Sequence, residues 1–150
     1  MKKELSISAI KDGTAIDHIP SNETFKVAKI LDLKGIRSVI SVAANLPSKQ
    51  MGKKGIVKIG GKYLTQEEVN KIAIIAPHAT VNIIENYEVK KKLKVSIPET
   101  INKIAKCSNP NCITNVEKTE TKFYVLTKDP LKLRCHYCER DMNKEDIQIL

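Results

Sequence analysis

Apolar and polar positions recur along this chain with two different periods. In "LSISAI" (5–10) they alternate, the period-two mark of a strand. "GTAIDHIP" (13–20) reads as a second extended piece, ended by Pro20. Over "SNETFKVAKILDLKG" (21–35) the period lengthens. Phe25, Ala28, Ile30 and Leu31 form a helical stripe, Ser21 or Asn22 is placed to cap it, and Gly35 stops it. "RSVISVAAN" (37–45) and "KGIVKIG" (54–60) return to strand, with Gly60-Gly61 as a turn signal. "TQEEVNKIAIIA" (65–76) predicts a second helix, in which Thr65 and Glu68 have the spacing of a capping box. "TVNIIEN" and "YEVKKKLKVSI" add one or two further strands. Two helices among about five strands predict an α+β domain: a mostly antiparallel sheet with both helices on one face.

Pro98, in "SIPETINK" (96–103), interrupts this pattern and divides the chain into a domain over 1–98 and another over 99–150. The second part offers "TKFYVLT" (122–127) and "LKLRC" (131–135) as strands, and "KEDIQIL" as a strand or short helix. A segment this short, with so few large apolar side chains, needs a staple to hold its fold. Its cysteines supply a candidate. Cys107, Cys112, Cys135 and Cys138 are spaced C-x4-C-x22-C-x2-C and are the only cysteines in the chain. Each short gap lets two thiolates reach one ion from a single turn, and four sulfurs close a tetrahedral shell around zinc with no position left for water or substrate. The predicted ion is therefore structural, and the second domain is small, β-rich and zinc-bound. Iron, two disulfides or unrelated buried thiols are the alternatives. His136, inside the second pair, reads as a surface residue because the shell is already full.

Charge first suggests nucleic acid. The chain carries a formal net charge of +9, but 17 basic against 9 acidic residues fall in 1–98 and 9 against 8 in 99–150. Four thiolates with one dication would take the second part to about −1. The basic half is not the cysteine half, which weakens the reading of a zinc ribbon on RNA or DNA. No apolar run approaches the roughly 20 residues that span a bilayer, the best being "IAIIA" at 72–76. "MKKELSISAIK" has the charge of a signal peptide without its apolar stretch, so the expected location is cytoplasmic.

Within the basic half, Asp17 and His18 invite a catalytic reading, yet neighbours on a strand point to opposite faces and no nucleophile arrangement accompanies them. "GIVKIGGKY" (55–63) departs from a phosphate-binding P-loop in its glycines and lacks Ser or Thr after Lys62. Lys54 and Lys58 share one face of their strand about 13 Å apart, and Lys90, Lys91, Lys92 and Lys94 follow in "EVKKKLK". Such lysines make either a solvated face or a polyphosphate site.

Read together, "GTAIDHIP", "NLPSKQMGKKGIVKI", "APHATVNIIENYEV", "CSNPNCITN" and "LRCHYCE" resemble the regulatory chains of aspartate carbamoyltransferase, in order from residue 13 to 139. The resemblance implies a noncatalytic subunit in de novo pyrimidine biosynthesis. Its first domain would bind CTP and ATP and pair with a second regulatory chain. Its zinc domain would dock on the catalytic chain, itself arranged in trimers. Carried over by position, the effector pocket comprises Ala9, Ile10, Asp17, His18, Lys58, Asn82, Ile84, Tyr87, Val89 and Lys92, with Lys54 beside a second nucleotide or its phosphates. Ser8 stands where well-known members have an acid, and Ala15 is smaller than the expected valine. Neither nucleic acid nor a membrane is expected as a partner. An enzyme acting on a phosphorylated substrate through Asp17, His18 and the lysines is a third reading, opposed by the closed metal shell.

Overall fold

A computed structural model describes residues 9–31 and 33–150, and the chain divides into two compact units between Ser96 and Ile97. The strand expected over 5–10 lies mostly outside the described residues, and Ala9 and Ile10 belong to no strand.

The first unit runs β1 (Gly13–Pro20), a 3-10 turn (Ser21–Glu23), α1 (Thr24–Ile30), β2 (Ile40–Ser48), β3 (Gly52–Gly60), α2 (Gln66–Ile75), β4 (Thr80–Glu85) and β5 (Glu88–Lys94). Its five strands form one sheet in the order β2-β3-β1-β4-β5, each pair antiparallel. The hairpin β2–β3 returns beside β1 on one side and β4 lies on the other, a split β-α-β arrangement. The α+β expectation holds, with α1 packing against α2 and against β2 and β3. Ile16, Val57, Ile59 and Val81 of the sheet, Val27 and Leu31 of the first helical segment, and Ile72 and Ala73 of α2 are almost fully buried.

The first helix is shorter than the sequence pattern suggested, and its stripe is rotated. Thr24, Val27 and Leu31 face inward at helical spacing, while Phe25 is 68% exposed. Ser21 does not cap it. Its hydroxyl donates to Asn45 Oδ1 at 2.8 Å and accepts from the Asn45 N–H at 2.7 Å, tying the turn to β2. Glu23 occupies the cap without a side-chain bond. The second helix matches the reading. Thr65 accepts from the Glu68 N–H at 3.3 Å, and Glu68 accepts from the Thr65 N–H at 3.1 Å.

The second unit contains β6 (Thr100–Asn102), β7 (Ala105–Lys106), α3 (Ile113–Val116), β8 (Lys122–Lys128), β9 (Leu131–Cys135), β10 (Asp141–Asn143) and β11 (Gln148–Ile149). A four-stranded sheet, β10-β9-β8-β6, and the two-stranded ladder β11-β7 carry it. Its apolar core is small: Ile101, Phe123, Leu133 and Met142 are its largest fully buried side chains. The C-terminal "KEDIQIL" divides into a 3-10 turn at Lys144–Asp146 and β11.

Candidate functional site

Register across the first sheet aligns the candidate residues. Ser41, Lys58, Ala15, Asn82 and Lys92 are successive cross-strand partners on β2, β3, β1, β4 and β5. Cross-strand partners share a face, and the intervening positions Ile16, Val57 and Val81 face the helices. The row therefore lies on the side opposite α1 and α2. Lys58 and Lys92 are three strands apart, about 14 Å between Cα atoms at 4.8 Å per strand. Between them Ala15 offers a floor with little bulk. Asn82 Oδ1 is buried and has no hydrogen-bond partner among the described residues, a cost that a donor from outside would remove.

One row toward the hairpin the face becomes apolar. Ile84 pairs with Gly13 and Val89, and Ile10, Ala15 and Ile84 form a buried cluster. The β4–β5 turn is built from Asn86 and Tyr87, both with positive φ (51° and 65°), the conformation of a type I′ hairpin. The Tyr87 N–H donates to the Lys11 carbonyl at 2.9 Å and the Asn86 N–H to Asp12 Oδ1 at 3.0 Å, which fixes this turn beside the segment carrying Ala9 and Ile10. Tyr87 and Val89 remain exposed.

One row the other way the face is charged. Alternation placed Asp17 and His18 on opposite sides, and the structure corrects this. The β1–β3 register shifts between Ile16 and Ile19, and His18 takes a left-handed φ of 58°. The bulge re-aims both side chains. Asp17 meets Lys54 Nζ through Oδ1 at 2.9 Å and Oδ2 at 3.1 Å. His18 Nδ1 lies 3.1 Å from the hydroxyl of Thr80, the β4 partner of Asp17. Asp17 Oδ1 also accepts the His18 N–H at 2.6 Å. The pair forms no acid–base dyad, because each side chain is held by a different neighbour. Thr80 and Ser41, absent from the sequence-based set, belong to the same face; their signal was strand pairing, which a single sequence does not display.

In the second unit all four cysteine Sγ atoms lie within 4.8 Å of one another. Cys107–Cys138 and Cys112–Cys135 are 3.6 and 3.7 Å apart. A tetrahedral shell with Zn–S of 2.3 Å sets sulfurs about 3.8 Å apart, whereas a disulfide sets them near 2.0 Å. The cysteines are free, so the disulfide alternative falls. Three are buried and Cys138 is half-buried. Both knuckles are braced: Asn115 Nδ2 donates to the carbonyls of Cys107 and Asn109 at 3.0 and 2.8 Å, and the Cys135 N–H donates to the Arg140 carbonyl at 3.0 Å. Thr114 Oγ1 donates to Cys112 Sγ at 3.1 Å.

Burial pushes the Cys107 thiol up to about 12 and raises that of Cys135. Burial also raises Cys138, but donors from Arg140 and Asn109, with the neighbouring thiols, outweigh it and hold this thiol at about 7. Thiolates this close need a cation to coexist. His136 is exposed, as expected, and its Nδ1 lies 2.6 Å from the Tyr124 hydroxyl.

Two family matches divide the chain at nearly the same place as its fold. Residues 5–96 match the aspartate carbamoyltransferase regulatory chain, allosteric domain, and residues 99–148 match the metal binding domain of that chain. The chain belongs to the family of aspartate carbamoyltransferase regulatory chains. It is similar to the regulatory chain of Pyrococcus horikoshii, 60% identical over 146 residues covering 96% of each sequence. It is also similar to that of Thermococcus kodakarensis, 51% identical over 148 residues (98% and 97% covered). The similarity extends to Bacteroides fragilis, with 46% identity over 149 residues (99% and 97% covered). As a regulatory chain it is a noncatalytic subunit with an allosteric domain and a metal-binding domain, and the four cysteines form a cluster of candidate metal ligands within the latter. Among the described residues no helix is long and apolar enough to cross a membrane.

Proposed function

We propose that this regulatory chain binds CTP and ATP on the sheet face of its first unit opposite α1 and α2 and thereby adjusts carbamoyl transfer to aspartate in pyrimidine synthesis in the cytoplasm. The observation that carries this reading is the row Lys58–Ala15–Asn82–Lys92, two lysines flanking a shallow floor and an unpartnered amide oxygen. An apolar row at Ile10, Ile84, Tyr87 and Val89 suits a base, and a charged row at Asp17, His18 and Lys54 suits sugar hydroxyls and phosphates. The ligand acts only so far as it binds two states of the enzyme with different affinity.

The domain assignment, 1–98 for effectors and 99–150 for docking, belongs to this proposal, as does zinc as the ion. The catalytic chain, in trimers, is the partner of the metal-binding domain. A second regulatory chain is the partner of the first domain, and the sheet edges support that. The β5 edge carries Lys90, Lys91, Lys92 and Lys94, which discourage pairing, while "ISVAANLPS" on the β2 edge has no charged residue.

The test is an aspartate saturation curve of the catalytic trimer from the same source, with and without this chain and CTP. A CTP-dependent shift that requires the zinc-loaded chain is expected. A curve indifferent to both, with no complex on sizing, rejects the assignment. Sedimentation of the chain alone at twice its own mass is expected for the regulatory dimer, and a monomer at all concentrations rejects it.

A further inference from the structure

Asp17 places a carboxylate in the candidate ligand face, and it is already engaged. Both carboxylate oxygens lie within 3.1 Å of Lys54 Nζ, and the two side chains are only 19% and 23% exposed. The ligand class proposed above brings several negative charges to this row. Left in place, the carboxylate repels them and holds the nearest ammonium away from them. We propose that Asp17 is an exchangeable counter-ion: a polyphosphate draws Lys54 off Asp17, and the released carboxylate accepts from the sugar hydroxyls. This inference rests on the nucleotide reading and adds a coupling to it, since the sugar contact at Asp17 then forms only once a phosphate has drawn Lys54 away.

Three observations make the exchange feasible. Lys54 sits at the shifted part of the β1–β3 register, opposite Pro20 and not opposite Asp17, so its long side chain reaches the carboxylate across the bulge and is not held there by direct cross-strand pairing. Asp17 Oδ1 stays anchored by the His18 N–H when the lysine leaves, so the carboxylate keeps its position. Breaking so sheltered an ion pair is costly unless each charge gains a new partner, and charge-assisted bonds from Lys54 to phosphate and from sugar hydroxyls to Asp17 supply them. A static brace between β1 and β3 is the competing account of the same pair.

The two accounts diverge in a double-mutant cycle on the full, metal-loaded chain, read by calorimetry with inorganic tripolyphosphate and separately with cytidine. Under the exchange, D17N strengthens tripolyphosphate binding several-fold in the presence of Lys54. It gives little or no gain in the K54A background, and cytidine alone, which brings no phosphate to release Asp17, binds wild type and D17N alike. A gain of equal size in both backgrounds, or none in either, overturns the proposal. Should D17N fail to fold, a crystal of the wild-type chain soaked with tripolyphosphate decides. Lys54 Nζ within about 3.2 Å of a phosphate oxygen and off Asp17 supports the exchange, and an intact pair overturns it. Tripolyphosphate reads the exchange independently of the base. Wild-type chain that ignores CTP while passing the cycle therefore rejects the nucleotide reading alone.

Discussion

Lys92 reaches the ligand face from an edge strand, with Asn82 as its β4 partner. A charged hydrogen bond to phosphate is worth roughly 1.5–3 kcal/mol, so Lys92→Ala is expected to weaken CTP binding about tenfold or more without lowering the melting temperature. Calorimetry and a thermal melt on the same sample check this; a loss of both would make Lys92 structural. Gly55, on the opposite face of the sheet, has the reverse role. A Cβ there would overlap the fully buried Thr24 side chain, whose hydroxyl donates to the Ser21 carbonyl at 2.9 Å. Overpacking of this kind costs about 1–3 kcal/mol, and Gly55→Ala should show it as a lower denaturant midpoint of the first unit. The sequence disclosed the residue types on the face but not their meeting. Asp17 meets Lys54 and His18 meets Thr80 through a bulge, and a bulge exists only once β1 has paired with β3.

Helix α2 and helix α1 differ in how much of each was readable. The Thr65–Glu68 box is local chemistry, complete within four residues, so the sequence displayed it and the structure repeats it. The start of α1 is decided by Asn45 of β2, far along the chain, which takes Ser21 away from capping. Its apolar Phe25 then faces outward while the polar Thr24 is buried, a choice made by the close approach of Gly55 and not by hydrophobicity. The difference predicts unequal sensitivity. Thr65→Ala removes a cap worth about 1 kcal/mol and should lower stability by that amount, whereas Asn22→Ala should change it by no more than a few tenths, since Asn22 is exposed and Glu23 holds the cap position. Chemical denaturation of the two variants, followed by circular dichroism, gives the comparison. Equal losses would place the cap back at Asn22.

For the whole molecule, the cysteine spacing was the most legible feature, because ligand geometry dictates it regardless of the surrounding fold. What the spacing left open was how much of the second unit depends on the ion. The structure answers through scarcity: its largest fully buried apolar side chains are Ile101, Phe123, Leu133 and Met142. So thin a core is expected to need its metal in order to fold. The first unit has no such dependence, since its buried face is supplied by two helices and five strands. A strong chelator is therefore expected to unfold the second unit alone. Amide resonances of 97–150 should collapse to disordered shifts while those of 9–31 and 33–96 persist, and added zinc should restore them. Acid should act in the same direction. The Cys107 thiol, held up at about 12, must lose its proton to bind, so metal affinity rises with pH and several protons are released per ion at neutral pH. Calorimetric titration in two buffers of different ionisation enthalpy measures that release. A second unit that keeps its spectrum without metal, or binding that releases no protons, would show that the four thiols are bystanders to a core that needs no staple.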